Sequence, residues 1–202
     1  MSLLNEVTTI DLLRHGEPKG GRRYRGQIDD PLSEKGWDEM WYAVSGERPW
    51  QQIISSPLRR CSEFAQALSE KMSIPLTRDE RLKEVGFGEW EGKTGAEIRS
   101  IAPETLARFY HDPIGNRPSG AEPLDQFSYR VNSALDTSLT AHPGKHLLLI
   151  AHAGVIRAIL TRSLSAPLGS MYRLSISTAT ISRLQLSNER PLTILFHGRK
   201  RL

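Results

Sequence analysis

A strand-then-helix rhythm is the feature that most narrows what this chain can fold into. Three short apolar runs, "VTTIDLL" (7–13), "WQQIIS" (50–55) and "HLLLIA" (146–151), have strand length and composition, and each runs on into a helical pattern. After the second run, Cys61, Phe64, Ala65, Leu68 and Met72 fall on one helix face, and after the third comes "GVIRAILTRSL". Leu124, Phe127, Val131, Leu135 and Leu139 make another stripe, which predicts a helix over 123–140. Residues 96–110 also read as helical, broken or restarted at Pro103, a residue better suited to a first turn than to an interior. Residues 171–198 differ, with three short β-rich runs separated by turn chemistry. Parallel strands need a crossover connection, usually a helix, so the alternation argues a parallel sheet with helices packed on it. The expected fold is a three-layer α/β/α sandwich, with a mostly parallel central sheet and antiparallel C-terminal strands, formed by residues 1–202 as a single domain.

Composition narrows the function classes. With 27 Lys and Arg against 23 Asp and Glu the net charge is +4, but the basic residues are dispersed apart from "GRRYR" (21–25) and the tail "HGRKRL" (197–202). No aromatic residues interleave with them in the way that stacks bases, so a small anionic molecule is the expected partner rather than nucleic acid. No apolar run approaches the ~20 residues of a membrane span, and "MSLLNEV" has no basic segment followed by an apolar core. A cytoplasmic location without membrane association is the resulting expectation. Cys61 is the one cysteine, and its place on a helix face makes it a core residue rather than a nucleophile. The sequence is silent on oligomeric state.

In open α/β sheets ligands bind beyond the carboxyl ends of the strands, where loops converge and helices aim their N-termini. The first strand ends at Arg14-His15-Gly16, the second at "SSPLRR" (55–60), and the later one at Ala151-His152-Ala153-Gly154. Two histidines and at least two arginines are thereby drawn into one crevice. Arg59 at a helix start is unusual, because cations favour the opposite end, and it suggests an anion bound there. Arginine holds phosphate, and histidine serves as nucleophile, acid or base near neutral pH, so Arg14, Arg59, His15 and His152 together suit phosphoryl transfer. "HDPIGNRPSGAEP" (111–123) is the best loop, expected as a wall or lid.

Three rival sites fail on the letters. "GEPKGG" (16–21) has the glycine spacing of a nucleotide-phosphate loop, yet Arg22-Arg23 stand where Lys and Ser or Thr should follow. The histidines lack short ligand spacing and cysteine support, which argues against zinc. No Gly-x-Ser-x-Gly elbow of a serine hydrolase is present.

Taken in order, "LLRHGEP", "SSPLRRC", "RLKEVGFGEWEG", "RPSGAE" and "LLIAHAGVIR" resemble the motifs of the histidine phosphatase superfamily, also called phosphoglycerate-mutase-like. The compact length, "FGEWEG" and "PLSEKGW" are most similar to bacterial α-ribazole 5′-phosphate phosphatases of cobalamin synthesis. The resemblance implies a phosphomonoesterase that needs neither metal nor cofactor and acts on a small phosphate ester. A broad-specificity phosphatase, a phosphoglycerate-mutase-like enzyme and a non-catalytic phosphate-ester-binding module are the alternatives. By the same resemblance His15 would be the nucleophile, with Arg14, Arg59 and His152 around the phosphate. Gly16 would allow close backbone approach, and a backbone carbonyl would fix the His15 tautomer. Glu84 would be the proton donor to the leaving group, with Glu89 and Glu91 as competitors. The sequence departs from the family where Gly21 replaces a pocket asparagine, a contact that Arg25 would supply instead. Ala153 stands where a glycine is commoner, leaving Gly154 usable, and Glu122 would be a wall residue.

Overall fold

The computed structural model describes residues 7–202. The reading of the N-terminal stretch as free of a secretory signal rests mainly on residues 1–6, outside the described residues. Six strands form one sheet: β1 (Thr8–Arg14), β2 (Gln52–Ser55), β3 (Leu76–Arg78), β4 (His146–Ala151), β5 (Ile181–Leu186) and β6 (Thr193–Arg199). Their order is β3-β2-β4-β1-β5-β6, parallel from β3 to β1 and antiparallel through β5 and β6. Helices α1 (Glu34–Ala43), α2 (Arg59–Met72), α3 (Gly95–Ile101), α4 (Thr105–His111), α5 (Leu124–Ala141) and α6 (Ala153–Ser163) complete the fold.

Successive strand side chains point to opposite faces, so each buried central strand feeds two cores. Ile10, Leu12, Leu147 and Leu149 pack with Phe127, Val131 and Leu135 of α5 and Ile156 and Ile159 of α6. Leu13, Leu148 and Ile150 pack with Met40 and Ala43 of α1 and Phe64, Ala65 and Leu68 of α2. The two cores make the three layers that the strand–helix alternation predicts. Cys61 is buried in the second core, and burial pushes its thiol above the usual range.

The C-terminal region holds two strands rather than three. Met171–Arg173 belongs to a short 3-10 turn over Leu168–Arg173 that follows Pro167, and Met171 is buried in the first core instead of pairing in the sheet. Pro103 lies between α3 and α4, just ahead of the Glu104 cap. Two elements leave little sequence signal: β3 is three residues long, and α1 is a short helix with Gly36 inside it. Among the described residues no helix is long and apolar enough to cross a membrane.

Register then places the chemistry. Arg14 of β1 pairs with Ala151 of β4, and Ser55 of β2 pairs with Ile150. His15, His152 and Ser56 therefore leave three adjacent strands at the same level, with His15 N donating to Ala151 O at 3.0 Å and Ser56 N to Ile150 O at 3.0 Å.

Candidate active site

His15 and His152 meet edge to face, with ring centroids 5.2 Å apart. Both are buried. The Nδ1 of His15 lies 2.7 Å from Gly16 O. A carbonyl only accepts, so Nδ1 carries the proton and Nε2 keeps its lone pair. Burial holds the His15 ring well below the ordinary histidine range, Arg14 and Arg60 push the same way, and the Gly16 carbonyl opposes them weakly. His15 is thus neutral at physiological pH. His152 is held down by the same causes, burial first and the Arg60 cation next.

The arginine that reaches the histidines is Arg60, not Arg59. Arg60 is 1% exposed, and its guanidinium donates from Nε to His152 Nδ1 at 3.2 Å, from Nη1 to Ile28 O and from Nη2 to Gly26 O. With Nδ1 accepting, His152 donates from Nε2 to Ser56 Oγ at 2.7 Å. The Arg59 side chain is 53% exposed and pairs with Glu63 along the helix. The expectation that Arg59 lines the crevice fails for a reason of helical period: position 60 shares the face of Phe64 and Leu68, and position 59 does not. That stripe was visible in the sequence and could have chosen between the neighbours.

Arg14, at the end of β1, donates from Nη1 to Ile176 O at 2.6 Å, while its Nε is buried with no hydrogen-bond partner among the described residues. Burial lowers its pKa to about 10, partly offset by the nearby Glu84 carboxylate, and it remains a cation at neutral pH. Arg25 is buried and held by Asp30 at 2.9 Å and Lys19 O at 2.6 Å. Its charge is among those acting on His15.

The two glycines serve the protein's own packing. A Cβ on Gly16 would stand 2.3 Å from Gly36 O, so the loop after β1 can lie on α1 only without a side chain there. A Cβ on Gly154 would stand 2.3 Å from Glu84 Oε1, and the Gly154 amide donates to Glu84 Oε2 at 3.2 Å. Glu84 also accepts from its neighbour Val85 N at 2.9 Å. Its backbone carbonyl accepts from Arg130 of α5 at 3.1 Å.

Arg130 in turn chelates Glu122, at 2.6 and 2.8 Å, and Glu122 accepts from Gly86 N at 3.1 Å. Glu122 and Arg130 thus fix the loop that carries Glu84, and the 111–123 loop is tied to that loop at Gly86 through Glu122 and Arg117. Glu91 is occupied by the Phe87 and Gln27 amides, and Glu89 is exposed. Sequence reasoning missed Arg130 as well as Arg60 and Ser56. Arg130 sits in a helix whose apolar stripe carries no hint of it. Among the described residues no three His, Cys, Asp or Glu side chains cluster to hold a metal ion.

A parallel sheet that ends in two buried histidines, ringed by arginines and faced by one carboxylate, defines an α/β enzyme class that handles phosphate esters. The sequence profile of the histidine phosphatase superfamily (branch 1) matches residues 10–197, and the chain belongs to that family. It is 31% identical over 180 residues to a bifunctional protein of Mycobacterium tuberculosis, covering 87% of this chain and 49% of that protein. The chain therefore spans about half the length of that relative. It is 32% identical over 171 residues to the glucosyl-3-phosphoglycerate phosphatase of Mycobacterium tuberculosis, covering 79% of this chain and 76% of that one. Among solved structures, Bacillus stearothermophilus YhfR superposes with a TM-score of 0.87 at 27% identity, covering 95% of this chain and 97% of that one. The α-ribazole phosphatase of Shigella flexneri superposes with a TM-score of 0.81 at 21% identity over 96% and 98% of the two chains, a likeness of fold alone.

Proposed function

We propose that this chain is a phosphomonoesterase working through a phosphohistidine on His15 Nε2. The observation that carries the reading is the tautomer. Gly16 O accepts from Nδ1–H, burial and two cations keep the ring neutral, and the remaining lone pair belongs to Nε2. In the first step Nε2 bonds to phosphorus as the ester P–O bond breaks, and Glu84 gives its proton to the departing alkoxide. In the second, water attacks phosphorus, the P–N bond breaks, Glu84 takes the water proton, and inorganic phosphate leaves. Arg14 and Arg60 hold the phosphoryl oxygens, with His152 oriented by Ser56 and Arg60. Fixed cations aimed at developing charge need no reorganisation during the step. Arg25, Gly16 and Gly154 act as supports: a nearby charge, a close loop contact and the seat of the Glu84 carboxylate. Residues 1–202 act as one domain in this reading, on a small phosphate ester in the cytoplasm.

For the substrate, α-ribazole 5′-phosphate is the reading suggested by "FGEWEG" and "PLSEKGW". The glucosyl-3-phosphoglycerate phosphatase relative favours a phosphoglycerate-type ester instead. The deciding measurement is kcat/KM for α-ribazole 5′-phosphate, 3-phosphoglycerate and p-nitrophenyl phosphate, with a chelator present throughout. Strong preference for the ribazole ester assigns cobalamin synthesis. Binding of the esters without turnover would leave a binding module. Glu84→Gln is expected to slow alkyl esters far more than p-nitrophenyl phosphate, whose leaving group needs little protonation. Equal slowing would move the acid role elsewhere.

A further inference from the structure

Residues 174–180 connect the 3-10 turn to β5 and belong to no helix or strand. The first four carbonyls of this segment accept from side chains. Arg157 Nε donates to Leu174 O at 2.9 Å, His197 Nε2 to Ser175 O at 2.9 Å, Arg14 Nη1 to Ile176 O at 2.6 Å and Thr180 Oγ1 to Ser177 O at 2.8 Å. Further along, Ala179 takes a φ of 49°, a left-handed conformation that a residue with a Cβ keeps only where its surroundings impose it. Its amide donates to the carbonyls of Arg14 at 3.1 Å and His15 at 3.3 Å. The end of β1 is therefore set against this segment.

His197 comes from β6, at the outer edge of the sheet, and takes no part in the chemistry above. Two features aim it. Between the pairs Ile181–Arg199 and Arg183–Phe196, β5 advances two residues and β6 three, so His197 and Gly198 together face Ser182. A bulge of this kind re-aims a side chain, and Gly198 supplies the φ of 79° that favours glycine. The ring is then fixed by its partners. Ser175 O only accepts, so Nε2 carries the proton, and Nδ1 accepts from the hydroxyl of buried Ser182 at 2.7 Å. A hydrogen bond at the surface adds little net stability, because water offers the same partners. The bulge, the glycine and the buried serine that aim His197 need another reason.

We propose that His197 is a positioning residue for Arg14: by fixing Ser175 O it sets where the next carbonyl, Ile176 O, stands. Ile176 O holds Arg14 Nη1, while Arg14 Nε has no partner among the described residues. A planar guanidinium held at one corner takes its orientation from that contact, and a misplacement of about 1 Å can cost up to about 10²-fold in rate. The inference rests on the phosphomonoesterase reading, in which Arg14 holds the phosphoryl oxygens.

The test uses His197→Phe, which keeps a ring and removes the donor, and His197→Gln, whose side-chain amide puts a donor back near the place of Nε2. His197→Phe is expected to lower kcat/KM for p-nitrophenyl phosphate about tenfold and to weaken inhibition by inorganic phosphate, with the thermal midpoint close to wild type. His197→Gln is expected to recover most of that loss. In an Arg14→Lys background His197→Phe should change kcat/KM less than about twofold, because the contact it serves is gone. Wild-type kinetics in His197→Phe, a loss that His197→Gln does not repair, or a loss of equal size in the Arg14→Lys background overturns the positioning role. A lowered thermal midpoint with kcat and KM unchanged in the folded fraction assigns the bond to stability alone and overturns it too. Should His197→Phe fail to fold, Ser182→Ala, which releases the ring, is expected to lower kcat/KM severalfold and decides. Wild-type protein that turns over no ester and traps no phosphate on His15 sinks the enclosing reading, and the inference falls with it.

Discussion

Strand β1 carries one polar cluster at Asp11 and leads into a second at Arg14 and His15, where it ends, and the two are built on opposite plans. Asp11, fully buried mid-strand, accepts from Trp50 Nε1 at 2.7 Å, from His146 Nε2 at 3.0 Å and from Arg183 at 2.8 and 3.0 Å. These bonds outweigh the cost of burial and hold its carboxyl below the usual range. At the strand end, His15 is buried and Arg14 half-buried, yet the shielded Arg14 Nε has no partner among the described residues and His15 Nε2 keeps a free lone pair. A closed polar cluster is architecture, because every charge has its counterpart within the fold. An open one holds capacity for an external ligand.

That contrast can be broken by mutation, beginning with the open cluster. His15→Ala is expected to lower turnover on the order of 10⁴-fold or more and abolish acid-labile phosphate on the protein, with thermal stability kept. Full activity in that variant would remove the nucleophile. Asp11→Ala should do the reverse, destabilising by about 3–5 kcal/mol in chemical denaturation by stranding Arg183, while the folded fraction keeps its kcat. A loss of kcat without a loss of stability would mean that the two clusters are coupled.

Arg60→Ala is expected to lower kcat/KM by about 10²–10³-fold, the usual worth of one preorganised donor, whereas Arg59→Ala should change it less than about twofold. Equal effects would restore Arg59 to the site. The smallest effect is on pH dependence. His15 and His152 are held below their unfolded value of about 6.5, so the unfolded chain binds protons first as pH falls. Stability should therefore fall below about pH 6.5, by up to about 1.4 kcal/mol per pH unit for each histidine, and His15→Ala should remove one share. Asp11 acts in the same sense but lower down, adding stability that is lost only as pH drops below the ordinary aspartate value of 3.8 toward its depressed folded value. Denaturant midpoints at pH 7.5, 6.5 and 5.5 separate the two.

Strand ends and helix stripes are local, periodic features, so "VTTIDLL", "HLLLIA" and the 123–140 stripe were legible as letters, and with them the parallel sheet and the crevice of His15 and His152. Glu84 could be named from its motif alone, but its carboxylate is seated by Gly154, seventy residues away. Period alone should have preferred Arg60, since a side chain one residue along a helix turns about 100° around its axis. The role of Arg130 had no such signal. It is defined by what separate segments bring to it, the Glu122 carboxylate and the carbonyls of Arg81, Lys83 and Glu84. The sequence by itself determined which segments become strands and which residue types stand at their ends, because those follow from neighbours along the chain. Only the tertiary structure decided which arginine faces the histidines, which nitrogen of His15 is free and which buried donors stay unpaired, because hydrogen bonds and burial between distant segments set all three.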